Sequence, residues 1–289
     1  MPTTASEMDT VAEVAEVRRR VAAARAEGRR VGLVPTMGFL HDGHLQLVTR
    51  ARAECDFVVM SVFVNPLQFG PNEDFSRYPR DAAGDAAKAA AAGVDLLFTP
   101  GVADMYSGDA STVVVPTGLE ERWEGAVRPG HFRGVCTVVA KLFNIVQPDA
   151  AVFGQKDFQQ ATVIRAMVRD LNFAVAVAVV PTVREPDGLA LSSRNSYLSA
   201  EERLRARALH AALRTAAAAY AAGERDVRAL EAAGRAVLDA DPRTSVDYFA
   251  VVDPATLEPA AAARADSVVL VAARVGTTRL IDNATLGSG

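Results

Sequence analysis

Apolar runs recur along the first two thirds of the chain and are separated by longer amphipathic or alanine-rich segments. The runs occupy residues 31–34, 57–64, 94–98, 150–153 and 174–180, with a further short one at 112–115. Uninterrupted runs of this length are typical of strands buried on both faces of a parallel sheet. The intervening segments predict helices at 11–26, after His41, and at 81–92, 135–146 and 161–171. This alternation predicts an α/β fold with a doubly wound parallel sheet and right-handed crossovers.

The pattern changes after a turn-rich segment at residues 184–188. Ser199 and Glu202 have the spacing of a capping box, which predicts the start of a long alanine-rich helix. A second helix is predicted at 226–240, followed by strands at 246–252, 268–273 and 278–281 with a turn at 276–277. We therefore expect two domains, a sheet domain at 1–184 and a smaller α+β domain at 185–289.

Composition and charge exclude several classes of protein. Of the 289 residues, 50% are hydrophobic and 23% are charged, and the formal net charge is −4, which disfavours a large nucleic-acid footprint. Cys55 and Cys136 do not form a C-x-x-C pair, so neither a zinc site nor a disulfide framework is expected. The longest apolar run, 173–181, is too short to cross a bilayer, and the N-terminal residues lack the pattern of a signal peptide. We expect a cytoplasmic protein that binds neither nucleic acid nor a membrane.

The segment after the first predicted strand has the features of an anion site. Pro35 is expected to stop the strand, Gly38 allows a tight turn, and a helix is predicted to begin near His41 and His44. The two histidines are one helical turn apart, so in a helix they share a face. Helix N-termini attract anions, and two imidazoles there can hydrogen-bond a phosphate ester. The segment lacks the glycine-rich patterns of dinucleotide or P-loop sites, and a purely structural role for the histidines stays open.

Polar residues also follow other predicted strands. Asn65 and Gln68 come after the second strand, and Lys156 follows Gly154 at the end of a later one. Ligands of open α/β sheets bind beyond the carboxyl ends of the strands, and a lysine at that edge is a candidate phosphate ligand. A further loop at 191–195 carries two serines and Arg194, a combination that suits a phosphate chain. Taken singly, each of these residues could equally be an ordinary loop residue.

Taken together, these motifs resemble those of the pantothenate synthetase (pantoate–β-alanine ligase) family. Four segments carry the resemblance, in order: 35–44 with its two histidines, 63–69, 154–160 and 191–195. It covers nearly the whole chain. It implies a Rossmann-like domain of nucleotidyltransferase type, a smaller lid-like C-terminal domain and a homodimer. The implied reaction joins pantoate to β-alanine at the expense of ATP, with Mg²⁺, through a pantoyl adenylate, and releases AMP and pyrophosphate.

The resemblance also implies roles for individual residues. The catalytic group would comprise His44, in the position of the family's proton donor, with His41, Lys156 and Arg194. Pantoate would contact Gln68 and Gln160, and Gln68 would also lie near β-alanine. The implied ATP site comprises Met37, Gly38, Phe39, Leu40, His41, Asp42, Gly43, His44, Gly154, Gln155, Lys156, Asp157, Val183, Leu191, Ser192, Ser193 and Arg194.

Two positions depart from the family pattern, and the magnesium ligand matches it only loosely. Gln155 stands where an acidic residue is common, and Leu191 stands where methionine is often found. Both are expected to act through the backbone. For magnesium, Asp81 and Asp85 lie in the expected neighbourhood, and Asp85 is the ligand we predict.

Two other classes of protein are compatible with parts of this pattern. A nucleotidyltransferase of the cytidylyltransferase type shares the histidine signature but would release a stable nucleotidyl product. A non-catalytic nucleotide-binding regulator would bind ATP and form no pyrophosphate. Pyrophosphate release from ATP in the presence of pantoate distinguishes the three.

Overall fold

The structure is a computed structural model that describes residues 8–287. Its helices and strands follow one another in the order β1 (Asp9–Val11), α1 (Val14–Ala26), β2 (Val31–Thr36), α2 (Asp42–Arg52), β3 (Phe57–Val62), α3 (Ala82–Ala92), β4 (Leu96–Phe98), α4 (Val102–Met105), α5 (Trp123–Val127), α6 (His131–Val146), β5 (Ala150–Gly154), α7 (Phe158–Asp170), β6 (Ala176–Val180), α8 (Ala200–Ala221), α9 (Val227–Asp239), β7 (Thr244–Val252), β8 (Val268–Val275) and β9 (Thr278–Thr285). Within residues 8–287, no helix combines the length and apolarity needed to cross a bilayer.

The described residues divide into two compact units. The first comprises the residues up to Glu120 together with Arg128–Gly154 and Val163–Pro181. The second comprises Glu121–Val127, Gln155–Thr162 and the residues from Thr182 onward. The C-terminal unit thus includes two internal segments that the predicted division at 184/185 assigns to the sheet domain.

A parallel sheet of six strands, in the order β1–β4–β3–β2–β5–β6, forms the centre of the first unit. From β2 the chain moves outward through β3 to β4, then returns to place β5 on the other side of β2. The carboxyl ends of β2 and β5 therefore lie at the topological switch point, where open α/β sheets bind ligands. Apolar clusters cover both faces of the sheet, which explains why its strands lack polar alternation.

Helix α6 is buried along almost its whole length in the first unit. Apart from Arg133, Lys141 and Asn144, every one of its residues is buried. Gly134 allows one side of the helix to approach the chain at Leu67 closely. A β-carbon built at Gly134 would lie 2.2 Å from the Leu67 carbonyl oxygen, which is too close for any side chain. The glycine therefore sets the distance between α6 and the segment that carries Gln68.

In the second unit, α8 and α9 pack on an antiparallel sheet in the order β7–β8–β9. The capping box that opens α8 is present: the Ser199 amide donates to Glu202 Oε2 at 2.9 Å, and the Glu202 amide donates to Ser199 Oγ at 3.2 Å. The 276–277 turn joins β8 to β9 as predicted.

A buried ion pair attaches α5 to this sheet. Arg279 of β9 donates to both carboxylate oxygens of Glu124, at 2.6 and 2.7 Å, and also to Asp247. Trp123 Nε1 donates to the Leu257 carbonyl at 2.7 Å. These contacts explain why the segment 121–127 belongs to the second unit although the sequence places it in the middle of the first.

The structure corrects several details of the predicted elements. Residues 9–11 form an edge strand, so the first helix begins at Val14 and not at residue 11. Pro35 lies inside β2, where it is tolerated because pairing with β5 ends at Leu33. Residues 112–115 are not a strand. The helix predicted at 135–146 begins earlier, at His131, and residues 123–127 form the short helix α5.

Candidate active site

The loop between β2 and α2 is folded back by a short hydrogen-bond series. Thr36 Oγ1 donates to the Ser61 carbonyl at 2.7 Å and accepts the Gly38 amide at 3.2 Å. Gly38 and Phe39 both have positive φ angles, 83° and 51°. Glycine adopts this conformation freely, whereas phenylalanine rarely does. The loop shape therefore needs contacts that hold Phe39 in place.

Helix α3 supplies those contacts. Asp85 is 2% exposed, and its carboxylate accepts the amides of Phe39 at 2.8 Å and Leu40 at 2.7 Å. One turn later on the same helix, Lys88 Nζ donates to the Leu40 carbonyl at 2.7 Å. Charge-assisted bonds of this kind are roughly twice as strong as neutral ones. Asp85 and Lys88 thus hold both backbone groups of Leu40, its amide and its carbonyl.

His41 and His44 lie together at the start of α2. His41 is the N-cap residue, and the two rings are tilted by 30° with their centroids 4.0 Å apart. The His41 amide donates to His44 Nδ1 at 3.3 Å. Since Nδ1 accepts, neutral His44 carries its proton on Nε2 and can donate it to a ligand. By helix geometry the amides of Asp42 and Gly43 have no intrahelical acceptor, as an anion site requires.

Gln68 is held by a relay of side chains behind it. Tyr106 donates its hydroxyl to Asn65 Oδ1 at 2.8 Å, and Asn65 Nδ2 donates to Gln68 Oε1 at 3.1 Å. Burial raises the pKa of Tyr106 well above its ordinary value, so the hydroxyl keeps its proton. The Gln68 side-chain oxygen is thus engaged, and Nε2 donates one hydrogen to Met37 Sδ at 3.0 Å, so the second N–H of the amide is the group assigned to bind a substrate oxygen.

The backbone of Gln68 is also fixed. The backbone carbonyl of Gln68 accepts from His131 Nδ1 at 2.9 Å and from Arg128 Nη2 at 3.1 Å. Arg128 also forms an ion pair with Glu73 at 2.5 Å. Burial acts to raise the pKa of Glu73, but the bonds and charge of Arg128 outweigh it, so the pKa lies below its ordinary value. His131 therefore positions Gln68 from behind, a role for which the sequence offers no signal.

In the second unit, the segment after β5 is anchored to β9. Asn283 is 2% exposed, and its side-chain nitrogen donates to the carbonyls of Gln155 at 2.8 Å and Lys156 at 2.9 Å. The side chain of Lys156 is about one-fifth exposed, and Nζ lies 3.8 Å from Asp157. A fixed backbone and a partly exposed ammonium leave Lys156 able to reach an anionic ligand.

The second unit also orders the loop that carries Arg194. Ser192 caps a short 3₁₀ helix by accepting the Arg194 amide at 3.3 Å. The Leu191 amide donates to the Val183 carbonyl at 2.9 Å, which aligns the two predicted ATP segments. Arg184, just before them, forms a buried ion pair with Asp282 at 2.6 Å. This backbone arrangement places Val183 and Leu191 side by side.

A sequence model described as pantoate-beta-alanine ligase matches residues 9–285 of the chain. The chain belongs to this family. Two pantothenate synthetases are similar over most of their length: that of Moorella thermoacetica is 54% identical over 279 residues, covering 96% of this chain and 99% of its own. That of Chloroflexus aurantiacus is 56% identical over 277 residues, covering 96% and 97%. The chain is therefore an enzyme, a pantoate–β-alanine ligase.

Solved structures agree with the family assignment. The crystal structure of pantothenate synthetase from Thermus thermophilus has a TM-score of 0.92 and 54% identity, covering 96% of this chain and 99% of that one. The pantoate-beta-alanine ligase from Francisella tularensis, complexed with beta-gamma ATP and beta-alanine, has a TM-score of 0.80 and 30% identity, covering 98% and 99%. The predicted parallel-sheet fold with a second, smaller α+β part is confirmed.

The ligase residues predicted from the sequence are distributed over both units. His41, His44 and Gln68 belong to the first unit, whereas Lys156, Gln160 and Arg194 belong to the second. Within the first unit the structure brings the two histidines together and packs Gln68 against Met37. The supporting residues Asn283, Arg128 and His131 were not predicted. They act through hydrogen bonds between distant parts of the chain, which local sequence patterns do not reveal.

The acidic residues predicted for magnesium do not form a ready metal site. Among residues 8–287, no group of three or more histidine, cysteine or acidic side chains is placed to hold a metal ion. Asp81 caps α3 by accepting the Gly84 amide at 3.0 Å. Both oxygens of Asp85 already accept loop amides. Asp85 therefore lacks the open, water-accessible oxygens that Mg²⁺ prefers, whereas Asp81 is exposed.

Proposed function

We propose that the enzyme activates pantoate with ATP, forming pantoyl adenylate and pyrophosphate, and then transfers the pantoyl group to β-alanine, releasing AMP. The observation that carries this proposal is the histidine pair at the start of α2, next to helix amides and beyond the carboxyl end of β2. The complex of the Francisella tularensis ligase with beta-gamma ATP and beta-alanine supports ATP and β-alanine as substrates here too.

The first step needs stabilisation of negative charge. A carboxylate is a poor acyl donor because its leaving group would be oxide, and adenylation replaces that group with AMP. The pantoate oxygen attacks the α-phosphorus in line while the bond to pyrophosphate breaks. Charge then grows on the phosphate oxygens, so fixed donors stabilise the transition state more than the ground state. His44 Nε2–H, His41, Lys156 and Arg194 are the donors we assign.

The remaining predicted ATP residues contact the nucleotide in this proposal. The backbone at Met37–His44, Gly154–Asp157, Val183 and Leu191–Arg194 lines the nucleotide, and Asp157 accepts bonds from ribose hydroxyls. Asp157 is unsuited to phosphate because like charges repel. Any Mg²⁺ would be held mainly by the nucleotide phosphates and water, since the enclosed carboxylate of Asp85 does not fit it.

Pantoate binding is assigned to two neutral amides. Gln68 presents one N–H of its side-chain amide, because Asn65 already donates to its side-chain oxygen and Met37 Sδ accepts the other N–H. Gln160 supplies the second amide. Phe63, Val138 and Val139 are buried apolar residues of the same unit as Gln68 and suit the gem-dimethyl group. A pocket without formal charge leaves the carboxylate nucleophilic. In the second step, the neutral amine of β-alanine attacks the acyl carbon and AMP leaves.

Substitution of His44 or Lys156 by alanine tests the adenylation site. Each variant is expected to lose on the order of 10²–10⁴ in the rate of pyrophosphate release with ATP and pantoate, and to unfold at the wild-type urea concentration. Gln46→Ala, exposed on the same helix as His44, and Arg169→Ala, exposed on α7, are matched controls. Wild-type turnover in His44→Ala or Lys156→Ala would remove that residue from the mechanism.

The same assay separates the alternatives. Pantoate-dependent pyrophosphate release, followed by AMP and pantothenate once β-alanine is added, supports the ligase. A nucleotidyltransferase would instead give a stable nucleotidyl product with CTP and a phosphate ester, and a regulator would bind ATP without releasing pyrophosphate. Homodimerisation and a cytoplasmic location are further parts of the proposal, and sedimentation of the purified chain tests the first.

A further inference from the structure

We propose that Asp85 and Lys88 of α3 are positioning residues that hold the nucleotide loop in its binding shape, and that Asp85 is not a ligand of Mg²⁺. The inference rests on the proposed function for its catalytic consequence. Its structural basis is the set of bonds from these two residues to the amides of Phe39 and Leu40 and to the carbonyl of Leu40. Three backbone groups of one loop are thus held by one face of a neighbouring helix.

The surroundings of Asp85 favour this role over metal binding. The residue is 2% exposed, and each carboxylate oxygen accepts one amide at 2.7 or 2.8 Å. Gly38 packs directly against the carboxylate, since a β-carbon built there would lie 2.8 Å from Asp85 Oδ2. Mg²⁺ requires octahedral geometry and usually retains several waters. A carboxylate enclosed on these sides by backbone offers no room for a hydrated ion.

The bonds from Asp85 and Lys88 to the loop, which we call the clamp, have a direct effect on the histidine pair. The clamp holds Phe39 at a φ of 51°, a conformation that costs free energy for a residue with a side chain. Two residues further on, the His41 amide reaches His44 Nδ1 and leaves the proton of neutral His44 on Nε2. If the clamp is broken, the loop can relax to negative φ, and the donor geometry at His44 is lost with it. Asp85 and Lys88 therefore act on the reaction through the loop.

Asp85→Asn is the first test. Asparagine keeps the size of the side chain but presents an NH₂ group to one of the two amides, so one bond is replaced by a contact between donors. In the protein without nucleotide or metal, amide hydrogen exchange at Phe39 and Leu40 is expected to accelerate at least about 10-fold. The rate of adenylation is expected to fall on the order of 10- to 100-fold. The Mg²⁺ concentration for half-maximal rate stays at the wild-type value.

Asp95→Asn is the matched control. Asp95 is also a largely buried carboxylate in the first unit that accepts a backbone amide, that of Val58, at 2.7 Å. It precedes β4, so it lies at the amino end of its strand and not at the edge that carries the loop. This variant is expected to lose stability while the exchange of the Phe39 and Leu40 amides stays at the wild-type rate.

Lys88→Met keeps the proposal testable if Asp85→Asn fails to fold. Loss of the bond to the Leu40 carbonyl is expected to accelerate loop exchange and to slow adenylation about 3- to 10-fold. Unchanged loop exchange in a folded Asp85→Asn or Lys88→Met variant would overturn the proposal. So would a tenfold higher Mg²⁺ requirement in Asp85→Asn with wild-type exchange, which identifies a metal ligand. If the wild-type chain releases no pyrophosphate, the proposed function fails, and the exchange rates still decide on the clamp.

Discussion

Replacement of Gly134 by alanine gives a sharp test of how α6 positions Gln68. Helix propensity alone predicts a gain, since alanine in a helix interior is about 1 kcal/mol more favourable than glycine. The structure predicts the opposite result. The added β-carbon would lie 2.2 Å from the oxygen and 2.4 Å from the carbon of the Leu67 carbonyl, and 2.6 Å from the Gln68 amide nitrogen. These are backbone atoms, which cannot rotate out of the way.

The cost to stability follows from two contributions. Overpacking of a well-packed site costs about 1–3 kcal/mol. If α6 moves away from Leu67 and Gln68, the bond from Asn65 Nδ2 to the Gly134 carbonyl, now 3.1 Å, is also stretched. Such a bond is worth about 0.5–1.5 kcal/mol. After the gain in helix propensity is subtracted, the free energy of unfolding is expected to fall by about 1–3 kcal/mol.

The cost to activity is expected to be larger. Ordinary van der Waals contact begins at 3.4 Å, so the Leu67–Gln68 peptide must retreat by about 1 Å. Gln68 moves with it, and a displacement of that size costs about 10²-fold in rate when it affects a substrate-binding group. Urea unfolding and pantoate-dependent pyrophosphate release measure the two effects. Gly108→Ala is the matched control because no atom lies within 4 Å of a β-carbon built there. A Gly134→Ala variant with wild-type or higher stability and unchanged kcat/KM for pantoate would refute the reasoning.

Three further predictions concern the second unit. Arg279→Met leaves the carboxylate of Glu124 buried without its partner and is expected to lower the free energy of unfolding, measured in urea, by about 3–5 kcal/mol. The double variant Arg279→Met/Glu124→Gln is expected to lose less, and equal losses in the two variants would contradict this reasoning. Burial, and to a lesser extent the charge of Arg184, lowers the pKa of His210 in the folded chain. As the pH falls, His210 is therefore protonated in the unfolded chain before it is protonated in the folded one. Stability should therefore fall as pH drops below about 6.5, and His210→Asn should flatten urea midpoints over about pH 5–8; an unchanged slope would count against it. Asn283→Leu removes the side-chain donor to the carbonyls of Gln155 and Lys156 and is expected to cost about 1–3 kcal/mol of stability and to slow adenylation. Wild-type values of both would show that the Lys156 backbone is fixed by other contacts.

Much of the fold was predictable because local sequence encodes it. The central strands have apolar runs, since both faces of the sheet are covered, and those runs identify β2 to β6 within a few residues. The start of α8 was predictable from Ser199 and Glu202 because a capping box is a contact between residues three positions apart. The sequence prediction missed the short edge strand β1 and wrongly placed a strand at 112–115, and both errors have the same cause. Whether a segment of three or four residues joins a sheet depends on which neighbouring strand is available to pair with it.

The motifs themselves also came from the sequence alone. The histidine pair, Gln68, Lys156 and the loop that contains Arg194 could be identified because each is a short string of residues next to a predicted strand or turn. The grouping of His41 with His44 followed from helical spacing, and their rings do lie 4.0 Å apart. Assignment of the chain to its family rests on the same strings, and the match over residues 9–285 agrees with it.

Only the tertiary structure decided what supports these residues. Asp85 is 46 residues from Phe39, and Asn283 is 127 residues from Lys156, yet each pair is joined by a hydrogen bond. Likewise, residues 121–127 pack with the C-terminal unit because Glu124 pairs with Arg279, which is 155 positions away. Hydropathy and spacing report the local environment of a residue along one helix or strand. Which distant donor meets a given carbonyl or carboxylate depends on strand order and helix packing, and these are settled only when the whole chain has folded.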